Sequence, residues 1–138
     1  MANQLNPDLG FHHIGLKVKD IEKSIKFYEE ALGMTPFITW GEGDKRIQMM
    51  DFGDGGILEL FAGGSDELHR ENVWQHFAFR VNSVDTAYAN ALAHGAIPLT
   101  APKSVPLNSK PTDVTIRVAF VEGPDGEQLE FFKIVEVK

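Results

Sequence analysis

Two histidines and two glutamates stand at matched places in this 138-residue chain: His13 and Glu59 in its first half, His76 and Glu130 in its second. Imidazole nitrogens and carboxylate oxygens are the donors that hold divalent Zn, Ni, Co, Mn or Fe, and four of them leave coordination positions open for water or substrate. The set therefore points to an open catalytic metal site for a divalent metal ion of unknown identity. The chain has no cysteine, which excludes a disulfide framework, a thiolate metal site and a cysteine nucleophile. Any metal must be held by histidine and carboxylate.

The matching places come from an internal duplication. Arg46 to Phe61, RIQMMDFGDGGILELF, aligns without a gap on Arg117 to Phe132, RVAFVEGPDGEQLEFF, at an offset of 71 residues. Six of the sixteen positions are identical, where ordinary composition gives about one by chance. Each copy reads as a hairpin, with an Asp-Gly turn followed by an alternating strand that carries Glu59 or Glu130. The histidines lie on the strands that open each half, FHHIGLKV (Phe11 to Val18) and WQHFAFRV (Trp74 to Val81). Alternation puts Ile14, Leu16 and Val18 on a core face and His13, Gly15 and Lys17 on the other. In the second half Phe77, Phe79 and Val81 take the core face, opposite His76, Ala78 and Arg80. The glutamates are flanked by core-facing Leu58 and Leu60, or Leu129 and Phe131. If the first and last strands of a half curl toward each other, all four side chains point into one concavity.

The elements between them follow the same plan twice. Asp20 caps a helix from Ile21 to Leu32 that Gly33 stops, and Ser83 caps one from Val84 to about His94 that Gly95 stops. Pro36 to Trp40 and Ile97 to Thr100 read as short strands, and Gly41 to Asp44 as a turn. The result is an α+β chain, a single domain over 1–138. A first βαβββ module spans 11–62, a linker 63–73 with a helical turn between Glu67 and Glu71, and a second module 74–134. Residues Met1 to Leu9 form a polar lead-in. The opening strands are offset by 63 residues and the hairpins by 71, so the second half has eight extra residues. The Pro-rich run Ala101 to Asp113 takes them as a loop, in position for a lid.

A formal net charge of −7 argues against nucleic acid or an anionic membrane as the main partner. No run is long and apolar enough for a membrane span and the start has no signal-peptide core, so a cytoplasmic location and a small-molecule or protein partner are expected. Lys17 and Arg80 lie four residues after the histidines, about 13 Å along the strand. They either hold a substrate's carboxylate, phosphate or thioester-linked tail, or reach the rim and pair with surface acids. The symmetry-related Arg46 and Arg117 are open to the same two readings. Phe61 and Phe132, on the glutamates' face, serve as apolar walls for a substrate or as core packing. His12 points away from His13 and reads as structural, His94 as a helix-end residue and His69 as an exposed linker residue.

FHHIGLKVKDIEKSIKFYEEALGM at the start of the first half, WQHFAFRV at the start of the second and VAFVEGPDGEQLEFF near the end resemble the vicinal oxygen chelate superfamily. That superfamily contains lactoylglutathione lyase (glyoxalase I), methylmalonyl-CoA epimerase, extradiol dioxygenases and bleomycin- and fosfomycin-resistance proteins. The resemblance covers about Phe11 to Ile134. It implies two tandem βαβββ modules forming a half-open β-barrel cup with helices outside, and a homodimer. It implies His13, Glu59, His76 and Glu130 as metal ligands, with Glu59 or Glu130 as the base. The implied activity is a glyoxalase I-like lyase or isomerase that moves a proton next to a metal-chelated carbonyl, on a substrate such as a thiol adduct or thioester. The alternatives are a non-catalytic binding or antibiotic-resistance protein and an extradiol dioxygenase.

Overall fold

Each helix begins where a short polar side chain can satisfy the free amides of its first turn. Asp20 Oδ1 accepts from the Lys23 amide at 3.1 Å at the head of α1 (Ile21–Leu32), and Gly33 ends that helix in the left-handed conformation, φ 73°. Ser83 Oγ accepts from the Thr86 amide at 3.2 Å at the head of α2 (Val84–Ala93). The strands are β1 (Gly10–Lys17), β2 (Thr35–Trp40), β3 (Ile47–Asp51), β4 (Ile57–Phe61), β5 (Trp74–Arg80), β6 (Ile97–Leu107), β7 (Val114–Glu122) and β8 (Gln128–Val137). The computed structural model describes residues 2–65, 74–122 and 128–138. The proposed turn Glu67 to Glu71, His69 and the second Asp-Gly turn lie outside them. The chain is α+β and repeats the order βαβββ.

Two compact units make up the chain: His13–Gln75 with Asn108–Asp113, and Met1–His12 with His76–Leu107 and Val114–Lys138. In the first, the strand order is β2-β3-β4-β1, with β1 parallel to β4 and β3 antiparallel to both β2 and β4. Ile14, Leu16 and Val18 pack with Met50, Leu58 and Leu60 against Ile21, Ile25 and Tyr28 of α1. In the second unit the order is β5-β8-β7-β6, with β5 parallel to β8. Val81, Ala119, Val121 and Phe131 pack against Val84 and Ala87 of α2, joined by Phe79, Leu129 and, from the N-terminal segment, Leu9. Phe77 departs from the expected core face. It is 49% exposed and makes an edge-to-face contact with Phe11, ring centroids 6.2 Å apart. One of three aromatic or aliphatic positions on that face thus lies beyond the helix that covers the other two.

The Pro-rich run is not the expected lid. Residues 101–107 continue β6 as one 11-residue strand paired along β7, with register shifts at Pro98/Thr100 and Thr100/Lys103, and the extra residues go into lengthening this hairpin. β6 ends its strand order, so one side of its backbone owes no ladder hydrogen bonds and tolerates proline there. The remaining loop is fastened within the first unit. Thr39 and Lys110 exchange both backbone hydrogen bonds, at 3.1 and 3.0 Å, and Ser109 is buried.

The symmetry-related arginines resolve to one role. Arg46 pairs with Glu22, the second residue of α1, and Arg117 pairs with Asp85, the second residue of α2. Arg117 is bidentate, with Nε and Nη2 each 2.6 Å from Asp85. Each hairpin is tied to the N-terminal turn of its own helix, where a carboxylate is also favoured by the helix dipole. The Arg117 hydrogen bond holds the Asp85 carboxyl below its ordinary range. Its contribution is therefore present above the unfolded value of about 4 and is lost as pH falls through the lower folded value. Asp85→Asn should lower the melting temperature at pH 7, and the gap to wild type should close in melts taken at progressively acid pH.

Candidate metal centre

The parallel pairing of a unit's first and last strands decides what each glutamate meets. In β1 and β4, Gly15 stands beside Glu59 and Lys17 beside Phe61. In β5 and β8, Ala78 stands beside Glu130 and Arg80 beside Phe132. The neighbour of each glutamate is thus two residues after the histidine, on the same face, and is glycine or alanine. With no bulk between them, the imidazole reaches the carboxylate along the diagonal. His13 Nε2 lies 3.4 Å from Glu59 Oε1, and His76 Nε2 lies 3.0 Å from Glu130 Oε2. His13 is 0% exposed, and Glu59 and Glu130 are each 5% exposed.

The other flank of each glutamate is apolar. Across the hairpin Met49 faces Glu59 and Phe120 faces Glu130. Phe120 also turns its ring nearly perpendicular to His76, with centroids 5.7 Å apart and an interplanar angle of 87°. Met49 is completely buried. None of these four neighbours carries chemistry of its own that would mark it as a candidate. Gly15 and Ala78 are two residues past each histidine. Met49 and Phe120 obey the same 71-residue offset as the glutamates, which is the signal that finds them.

Each unit therefore brings one buried imidazole nitrogen and one buried carboxylate together as a mixed donor pair for a small cation. Mixed nitrogen and oxygen donors suit a borderline transition ion better than Mg or Ca, which prefer oxygen alone. The residues fit a divalent transition metal.

The substrate candidates are distributed differently. Lys17 is exposed, and its ammonium lies beside Gly63, 3.7 Å from where a Cβ would stand. Phe61 is half-buried. Phe132 is 1% exposed and stacks on His12 with centroids 4.2 Å apart, so His12 is the packing residue expected of it. Arg80 is exposed and lies across Gly10. His94 Nδ1 lies 2.9 Å from the Asn90 carbonyl oxygen at the end of α2.

A family model for the glyoxalase/bleomycin resistance protein/dioxygenase superfamily matches residues 10–131, a span that includes all four histidine and glutamate positions. The chain belongs to this superfamily. A relative in Bacillus subtilis, "Uncharacterized protein YwbC", is 34% identical over 132 residues, covering 88% of this chain and 94% of the relative. A "Lactoylglutathione lyase" of Haemophilus influenzae is 30% identical over 127 residues, covering 88% of this chain and 90% of its own. Among solved structures, methylmalonyl-CoA epimerase from Mycobacterium tuberculosis shares the fold, with a TM-score of 0.68 at 20% identity over 96% of this chain and 91% of that one. No helix among the described residues is long and apolar enough to cross a membrane.

The small neighbours generate a direct check. Ala78→Leu should destabilise the protein by about 1–3 kcal/mol through overpacking. In a crystal structure of the variant the His76–Glu130 separation should exceed the present 3.0 Å. An unchanged separation would mean that the small side chain is not what admits the pair.

Proposed function

We propose that this protein is a metal-dependent lyase or isomerase of the glyoxalase I type, which moves a proton on the carbon next to a substrate carbonyl. The observation that carries this reading is the buried histidine–glutamate pair, present twice at equivalent register beside a small residue. His13, Glu59, His76 and Glu130 would together hold one divalent ion. When bound, that ion supplies Lewis acidity, easing the negative charge that develops on a substrate oxygen. The relatives named lactoylglutathione lyase favour an enzyme over a binding protein.

The chain's own residues do the proton work. With both imidazoles engaged as donors, only a carboxylate of the four is suited to general base, so Glu59 or Glu130 accepts the proton from carbon. Its carboxyl then holds that proton at a buried oxygen, with apolar Met49 or Phe120 across the hairpin. Return to the neighbouring atom gives an isomerised product. Delivery of a proton by the other glutamate to the opposite face of the same carbon gives an epimer. The substrate in this reading is a small molecule, a thiol adduct or thioester. Lys17, Arg80, Phe61 and Phe132 are its candidate contacts, and the working form is a cytoplasmic homodimer.

Protein purified without a metal-affinity tag should contain about one divalent transition ion per chain by elemental mass spectrometry, and chelation should remove it together with activity. Metal-free protein that also ignores added Ni, Co and Zn would return the chain to the binding-protein class. In a screen of 2-oxoaldehyde–thiol adducts and acyl-CoA epimers, Glu59→Gln and Glu130→Gln should each lower kcat by about 10²- to 10⁴-fold. Full activity in both variants would refute the carboxylate's role.

A further inference from the structure

We infer that a cavity in the second unit, gathered around Arg80, binds the phosphate group of a small molecule. The cavity has a volume of about 440 Å³, and Asp8, His12, Arg80, Asn82 and Lys133 line it. The chain as a whole carries a net charge of −7. In this cavity the balance reverses, with Arg80 and Lys133 set against Asp8 alone. A cationic hollow in an acidic protein focuses anions locally against the overall field.

The two cations are held differently. Lys133 Nζ donates to the Asn82 carbonyl oxygen at 2.9 Å, which leaves two of an ammonium's three donors for a ligand. Arg80 has no ion pair or hydrogen bond among the described residues, whereas Arg46 and Arg117 both do. Its guanidinium instead rests in the space that Gly10 leaves. A Cβ there would stand 2.3 Å from Arg80 Nη2 and 2.9 Å from Cζ. One wall is stiffened by the His12 ring stacked on buried Phe132, the register neighbour of Arg80. A planar guanidinium fork alone satisfies a planar carboxylate, whereas a fork combined with a separate ammonium suits the tetrahedral, multiply charged phosphate. The volume exceeds that of a free phosphate and matches a small-molecule site. The phosphate is therefore part of a larger ligand.

Arg80 is also a candidate substrate contact in the proton-transfer reading, but neither it nor Lys133 is a metal donor there, so the inference is tested on metal-free protein, where it can fail or hold independently of that reading. Inorganic phosphate titrated at low ionic strength should shift the Arg80 side-chain and Asn82 amide resonances saturably, with a millimolar dissociation constant. Arg80→Ala should weaken that binding by about tenfold or more, and Lys133→Ala by several-fold. The melting temperature of Arg80→Ala should match wild type, since the side chain is exposed and has no ion pair or hydrogen bond among the described residues, and Lys23→Ala should bind as wild type does. Coenzyme A, which bears phosphates, should displace inorganic phosphate, and glutathione, which bears only carboxylates, should not. Three results overturn the assignment: no saturable shift, equal binding by Arg80→Ala, or displacement by glutathione as effective as by coenzyme A.

Discussion

The parallel pairing of the first and last strand in each unit is the constraint on which the rest depends. A strand's side chains alternate, so a slip of one residue would exchange its two faces. Here the slip is forbidden by apolar packing: Ile14, Leu16 and Val18 on one strand and Leu58 and Leu60 on the other share a cluster under α1. Fixing the aliphatic face fixes the opposite one, and with it the position of Glu59 beside Gly15. The same logic operates in the second unit, where Phe79 and Val81 with Leu129 and Phe131 fix Glu130 beside Ala78. Burying a carboxylate is costly unless a partner faces it. In both units the histidine two residues before the small neighbour is that partner.

Much of this was readable in the residues. Asp20 and Gly33 bounded α1 because capping chemistry is local, and the alternation around His13 and His76 named the opening strands because a half-buried strand has only two faces. Duplication then supplied the link between histidine and glutamate that neither residue carries alone. What was not readable depends on neighbours distant in sequence. Residues 101–107 look like a loop by composition, and only their place at the margin of the strand order makes them a strand. Phe77 has the right periodicity for burial but no helix above it. Lys133 escaped notice because its relation to Arg80 runs through the β5–β8 register and the Asn82 carbonyl.

Arg46 and Arg117 show how duplicated positions need not be functional in the chemical sense. The helices repeat at the offset of the opening strands, 63 residues, and the hairpins at 71, yet both arginines find an acid at the second position of their helix. The eight-residue difference therefore had to be absorbed where it leaves helix-to-hairpin geometry unchanged. The longer β6–β7 hairpin absorbs it, with 11 residues in β6 against 6 in β2 and 9 in β7 against 5 in β3.

The composition of β6 has a consequence for behaviour in solution. A strand of 11 residues at a sheet margin, with Ile97 and Leu99 exposed, is the kind of edge that recruits further chains into intermolecular sheet. Pro98, Pro102 and Pro106 each lack the amide that such recruitment requires, and Lys103 places a charge among them. The residues that lengthen the second half thus also guard it against aggregation.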